Sequence, residues 1–161
     1  MKIKFLTAIA FLSLLSLAAC GGSGETKDAD TNTTGNTESA STDKAAAEES
    51  KGIGKFTSVE LSPNLDQKMA DAGKGVYDMK CGSCHRLTDE KLVGPGWKGV
   101  TSRRKPEWIM NFATNPEEML SKDAAAMAML EECLVKMPNQ NLSDEDARSV
   151  LEYMRANDGV K

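Results

Sequence analysis

The sequence predicts an all-α domain of about four short helices, preceded by a disordered tether. Three observations carry this reading. Apolar residues recur at i, i+3, i+4 and i+7 in successive segments after residue 65. No stretch alternates apolar and polar side chains as a half-buried strand would. Residues 21 to 50 contain no large apolar side chain, so that segment cannot bury enough surface to offset its ordering entropy.

The elements follow in order along the 161 residues. Lys2 and Lys4 form a short basic start, and an apolar run from Phe5 to Leu17 follows, interrupted by Thr7, Ser13 and Ser16. Ala18 and Ala19 then precede Cys20. The run is too short for a comfortable membrane span and reads as an export signal over residues 1–19. Leu17-Ala18-Ala19-Cys20 resembles the bacterial lipoprotein box. That resemblance implies cleavage before Cys20 and acyl chains on it, each buried methylene contributing about 0.8 kcal/mol to membrane binding. The alternative is a plain secreted protein cut near Ala19, with Cys20 a free thiol. The residue after Cys20 is Gly21 rather than Asp. By resemblance to bacterial sorting patterns, this points to an exported protein anchored on the periplasmic side, at the outer membrane rather than the inner, with the cell surface left open.

Residues 20–59 are expected to be the lipidated cysteine and a flexible acidic linker. Within residues 21 to 50, two lysines face seven acids. Self-repulsion extends such a coil, which spans roughly 30 Å even when relaxed. The folded domain is expected over 60–161. Outside the signal and residues 21 to 50, 16 basic residues face 17 acidic ones. This near-neutral balance, within a net charge of -4 overall, argues against a nucleic-acid partner.

Met69, Ala72, Gly73 and Val76 predict one apolar stripe on a helix of about residues 65 to 80. Pro106 suits a first helical turn, with Trp108, Ile109, Phe112 and Ala113 behind it and Asn115-Pro116 as the stop. Residues 122 to 134 are rich in Ala, Met and Leu and favour helix. Ser143 is the expected cap of the last helix, whose apolar face is Ala147, Val150, Leu151 and Met154. Gly94-Pro95-Gly96 marks a long loop.

The chemistry lies at Cys81-Gly82-Ser83-Cys84-His85, the haem c attachment pattern. Two thiols three residues apart reach the two vinyl groups on one porphyrin edge, and the next residue turns its imidazole under the iron. A redox dithiol would need no histidine after it. A zinc site would need four ligands, and only Cys133 is left to join Cys81, Cys84 and His85. Export to an oxidising compartment also disfavours free structural thiols. With aromatics at 5%, a haem would itself fill much of the core.

No second His exists, so the opposite axial ligand is sought among the methionines. A thioether opposite imidazole raises the haem potential. Met79 is too near the attachment site, Met69 and Met154 lie on predicted core faces, and Met110, Met127 and Met129 read as helix packing. Met137 is best placed, before Pro138 in the Asn/Gln-rich loop that precedes the last helix. Met119, in an expected connecting loop, is next. Cys133 is left over. Its position beside Ala126, Met129 and Leu130 favours a buried thiol over an intermolecular bridge.

Residues 64 to 157 resemble a class I cytochrome c. The similarity rests on Gly73-Lys74-Gly75-Val76-Tyr77 running into Cys81–His85, on Val93-Gly94-Pro95, on Met137-Pro138 and on Leu151-Glu152-Tyr153-Met154-Arg155. The resemblance implies the small class I fold around one covalent haem c. It also implies a proximal imidazole bonded to the Pro95 carbonyl, a distal Met137, and Tyr153 packed on Gly73. The segment between Asn115-Pro116 and Met137 is an addition relative to shorter members. Trp97 and Trp108 are expected either at the haem border or in the core.

Imidazole–thioether iron has no vacant position, which points to one-electron shuttling rather than catalysis. The expected partners are a quinol-oxidising complex or soluble donor and a terminal reductase or oxidase. Arg86, Lys98, Arg103, Arg104 and Lys105 form a basic group that either steers an acidic partner or is simply solvated. The alternative classes are a haem-based ligand sensor and the haem subunit of a redox enzyme, both with a labile sixth site. A peroxidase would need a distal acid–base group, for which no second His is present.

Overall fold

The computed structural model describes residues 50–161. The export signal, Cys20 and the linker up to residue 49 lie outside the described residues. Helix α1, Gln67–Val76, starts where the Asp66 carboxylate accepts the Met69 N–H at 2.9 Å. Its buried face is Ala70, Gly73 and Val76, continued by Tyr77. Ala72, expected on that stripe, is exposed, and Ala70 takes its place. The face is set by the close approach of the last helix at Gly73 rather than by the largest side chains. The helix then widens into a π-helical turn, Tyr77–Cys81.

After a long loop come α2, Val100–Arg103, and α3, Pro106–Thr114. Pro106 opens α3 as expected, and Trp108, Ile109 and Met110 are buried on it. Pro116 ends α3 and also begins a further helix, α4, Pro116–Lys122. Proline fits a first turn because its missing N–H would be unpaired there anyway. Glu117 and Glu118 suit that end of the helix dipole. Helix α5, Ala124–Cys133, is capped by Asp123, whose carboxylate accepts the Ala126 N–H at 2.9 Å.

Helix α6, Asp144–Asn157, carries a capping box in which Ser143 Oγ accepts the Asp146 N–H at 3.0 Å and Asp146 accepts the Ser143 N–H. Its face Ala147, Val150, Leu151 and Met154 is buried, as the periodicity predicts. Six α-helices are present among the described residues, and no strand. This is the expected all-α class with two more helices than expected.

The dominant packing is α1 across α6. A Cβ built on Gly73 would collide with the Ser149 carbonyl and crowd Tyr153 Cβ, so the glycine lets the two backbones nearly touch. Each fully buried aliphatic side chain in this seam, such as Val150 or Leu151, contributes about 1.5–3 kcal/mol.

The packed chain starts earlier than residue 60. Ile53, Phe56 and Val59 lie against the core. Asn111 holds this strap: its side-chain amide donates to the Lys51 and Phe56 carbonyls (3.1 and 3.0 Å) and accepts the Phe56 N–H at 3.0 Å. Among the described residues no helix is long and apolar enough to cross a membrane.

Candidate functional site

The π-helical turn places the attachment motif. Gly82 N–H donates to the Tyr77 carbonyl at 2.8 Å, an i+5 bond that widens the helix and ends it. Cys84 and His85 N–H groups both reach back to the Cys81 carbonyl at 3.0 Å. Cys81 is buried and Cys84 half-buried. The Tyr77 hydroxyl donates to the His85 carbonyl at 2.8 Å, and its ring packs on Trp97 and on Tyr153, with centroids 5.0 and 5.5 Å away. Tyr153 thus lies beside both Gly73 and Tyr77.

The loop after the motif folds back on it. Val93 and Gly94 N–H groups donate to the Cys84 carbonyl, and Trp97 N–H to the Arg86 carbonyl. This brings the Pro95 carbonyl oxygen within 2.9 Å of His85 Nδ1. A carbonyl can only accept, so Nδ1 carries the proton and Nε2 keeps its lone pair for a metal. Gly94 lies flat against the ring, where any Cβ would collide with the imidazole. Trp97 flanks it at 5.6 Å.

Burial lowers the His85 pKa and the Pro95 bond opposes that shift only in part, so the ring is neutral, as a ligand must be. Burial also raises the Cys81 thiol to about 11, against a smaller lowering by Lys80.

His85 faces a cavity of about 320 Å³. Cys84, Val93, Gly94 and Pro95 line the side nearest it. Phe112 of α3, Leu120 of α4, and Met129, Leu130 and Cys133 of α5 also line it, and Val135, Lys136, Met137 and Pro138 complete it. The structure therefore brings Cys84, His85, Pro95 and Met137 to one cavity, with Cys81 buried one turn away. The walls are apolar, the donors are an imidazole nitrogen and thioether sulfurs, and a glycine leaves room beside the ring. These residues fit a flat, apolar, iron-centred macrocycle. Among the described residues no three His, Cys, Asp or Glu side chains are gathered to hold a bare metal ion. Cys81, Cys84, His85 and Cys133 thus do not form the tetrahedral cluster that zinc requires.

Several expectations are corrected. Met119 lies in helix α4 rather than a loop, fully buried, and its sulfur accepts the Ile53 N–H at 3.0 Å. It does not line the cavity and is no second choice for an iron ligand. The indole N–H of Trp108 is bonded to Asp123 at 3.0 Å, and the ring stacks on Phe112, 5.1 Å away. Trp108 therefore backs the cavity wall from the core. Cys133 is half-buried and borders the cavity.

The cation that lines the cavity is Lys136, outside the basic group read from sequence. Within that group, the Arg103 guanidinium is turned onto the Lys98 and Gly96 carbonyls, and Arg104 covers the Trp108 ring at 4.8 Å. The α5 contribution was foreshadowed by the spacing of Ala126, Met129, Leu130 and Cys133, which follows one helix face. A separate polar cleft of about 580 Å³, bordered by Gly54, Asn111, Asn115 and Asn139, holds none of the predicted site residues.

Comparison with known proteins agrees with this geometry. The sequence profile of the family "Cytochrome c" matches residues 70–158, more than half of the chain. Among solved structures, cytochrome c from Rhodothermus marinus matches with 35% sequence identity and a TM-score of 0.64, covering 72% of this chain and 96% of that one. An engineered form of that protein matches at 34% identity and a TM-score of 0.64, over 72% and 97% of the two chains. The engineered form bound to a carbene intermediate matches at 35% identity and a TM-score of 0.62, over the same shares. Among curated proteins, none matches the sequence. The profile spans the attachment turn, the proximal loop and the last helix, and the first two of these border the apolar cavity. The chain belongs to the cytochrome c family, as a haem-based electron carrier with one haem c bound covalently through Cys81 and Cys84.

Proposed function

We propose that this protein carries single electrons through a haem c held between His85 and Met137, tethered to a membrane by acyl chains on Cys20. The observation that carries the reading is that one apolar cavity is bordered by both His85 and Met137. The bound haem supplies the one-electron couple. The chain's own residues set its conditions. Pro95 fixes the imidazole tautomer, and Met137 supplies a neutral sulfur that favours the reduced state.

A closed site changes little on reduction, which suits electron transfer and leaves no position for substrate. The loop that bears Met137 is pinned on its C-terminal side. Lys80 Nζ donates to the Gln140 carbonyl at 3.1 Å, and Ser143 caps the next helix. Val93 and Val135, which line the cavity, are exposed apolar residues, as are their chain neighbours Leu92 and Leu134. They form the low-charge contact that a transient redox partner needs. Those partners are a quinol-oxidising complex or soluble donor and a terminal reductase or oxidase. In this reading the acidic linker expected over residues 20–59 lets the domain move between them while the anchor stays on the periplasmic side, at the outer membrane.

Met137→His tests the coordination. The expected variant keeps its haem, loses the near-infrared thioether-to-iron band, and takes a bis-imidazole low-spin spectrum. Its potential falls, because imidazole replaces thioether. A Met137→His protein whose near-infrared band and potential both equal those of wild type would show that Met137 is not at the iron.

A further inference from the structure

Two methionines, Met129 and Met137, border the cavity that His85 faces. The other methionines of the folded domain are committed elsewhere. Met110 and Met154 are buried in the core, Met119 is held by the Ile53 N–H, Met79 and Met127 are exposed, and Met69 lies on α1.

Met129 stands midway along α5, partly buried against the core, on a helix whose last turn is held by Lys91 Nζ on the Glu132 carbonyl at 2.7 Å. The buried residues of that helix are Ala125 and Ala126, in its first turn. Its last turn passes into Leu134, a non-glycine residue at φ 60° and 85% exposed. Only three residues separate Cys133, the end of this helix, from Met137. The Met129 sulfur lies 4.0 Å from an Arg104 guanidinium nitrogen, a long and weak contact for a thioether. Methionine has three rotatable side-chain bonds and a neutral, polarizable sulfur that needs no proton loss before it binds a metal.

We infer that Met129 is a reserve axial ligand, able to take the iron when Met137 leaves it. The inference rests on the assignment of Met137 as the resident ligand. In the exchange the Met137 sulfur–iron bond breaks and a Met129 sulfur–iron bond forms. No proton or electron moves, and the iron would have one imidazole and one thioether ligand both before and after the exchange. The site therefore stays closed to small ligands while the distal loop is displaced, for instance by a docked partner.

The test uses the mature haem-loaded protein in four forms: wild type, Met129→Leu, Met137→Ala, and Met137→Ala combined with Met129→Leu. Near-infrared and electron paramagnetic resonance spectra are recorded on the oxidised proteins, and each is titrated with imidazole. The inference predicts that Met137→Ala remains low-spin and keeps a thioether band. The double variant is expected to turn high-spin and bind imidazole at least tenfold more tightly than Met137→Ala.

A high-spin Met137→Ala protein would overturn the reserve role and leave the Met137 assignment standing. A Met137→Ala protein that is low-spin without the thioether band would overturn it in favour of another donor, with the Cys133 thiolate first. If the double variant also keeps the thioether band, the reserve role fails. The Met129→Leu single variant separates failure of the resident-ligand assignment from failure of the reserve: it keeps the wild-type thioether band if Met137 is the resident ligand, and a lost band there discards both readings. Leucine matches methionine closely in volume, and haem content with far-ultraviolet circular dichroism establishes that each variant is folded.

Discussion

His85 is useful because of where its proton is. The Pro95 carbonyl fixes that proton on Nδ1, and burial keeps the ring neutral, so Nε2 is presented as a lone pair. Gly94 makes the arrangement possible, since it leaves the space that a side chain would take from the imidazole. Gly94→Ala is therefore expected to destabilise the protein by about 1–3 kcal/mol through overpacking. It should also broaden or shift the low-spin spectrum as the ring tilts. Thermal melts of the haem-loaded variant, read with its visible spectrum, check both effects.

At this scale much was legible in the sequence. Cys81, Cys84 and His85 follow from a spacing that chemistry demands. Met137, singled out by its place before Pro138 in the Asn/Gln-rich loop ahead of the last helix, lines the cavity that His85 faces. Pro95 was accessible only through family resemblance, because nothing in a proline's neighbours announces which donor its carbonyl will meet. The misreading of Met119 came from taking Asn115-Pro116 as a stop without asking whether Pro116 also starts a helix.

Among the elements, α6 ties the fold to its own beginning. Glu152 is fully buried. It accepts from Arg148 and Arg155 at 2.6 Å each and from the Asp66 N–H at 3.0 Å. Burial alone would raise its pKa, but the Asp66 amide and the two guanidiniums outweigh that and hold it below the ordinary carboxylate range.

The sign of the pH effect follows. A carboxyl whose folded pKa lies below its unfolded value of about 4.3 stabilises fully above that value. The contribution is lost as pH falls through the lower, folded pKa. Glu152→Gln should therefore cost about 1–3 kcal/mol at pH 7, by denaturant unfolding. The gap to wild type should close as the pH drops below about 4. A gap that stays constant down to strongly acid pH would refute the ion-pair account.

The helical periods behind α1, α3 and α6 were readable because each buries a regular stripe. The π-helical turn at Tyr77–Cys81 was not readable. It is a local widening, set by tertiary contacts of Tyr77 with Trp97 and Tyr153 and not by any residue preference.

Across the whole molecule, the functional domain is near neutral and the acidic excess lies in residues 21–50. The basic cluster read from sequence is partly folded onto carbonyls and an indole. The mouth of the cavity is apolar with Lys136 beside it. Sequence composition could not reveal this, because it counts charges without showing which ones are turned inward. The proposed anchor at Cys20 belongs to this scale as well. Cys20→Ala is expected to move the exported protein from the membrane fraction to the soluble periplasmic or secreted fraction, with its haem spectrum unchanged. Fractionation with haem staining reads the result, and a variant that remained membrane-bound would show that acyl chains on Cys20 are not the tether.

In the proposed site the iron would be closed on one face by His85 and on the other by a methionine sulfur. The near-infrared absorption of the oxidised, mature wild-type protein tests it most directly. The account predicts a low-spin ferric protein with a weak thioether-to-iron band that vanishes on reduction. A high-spin ferric spectrum without that band would contradict it.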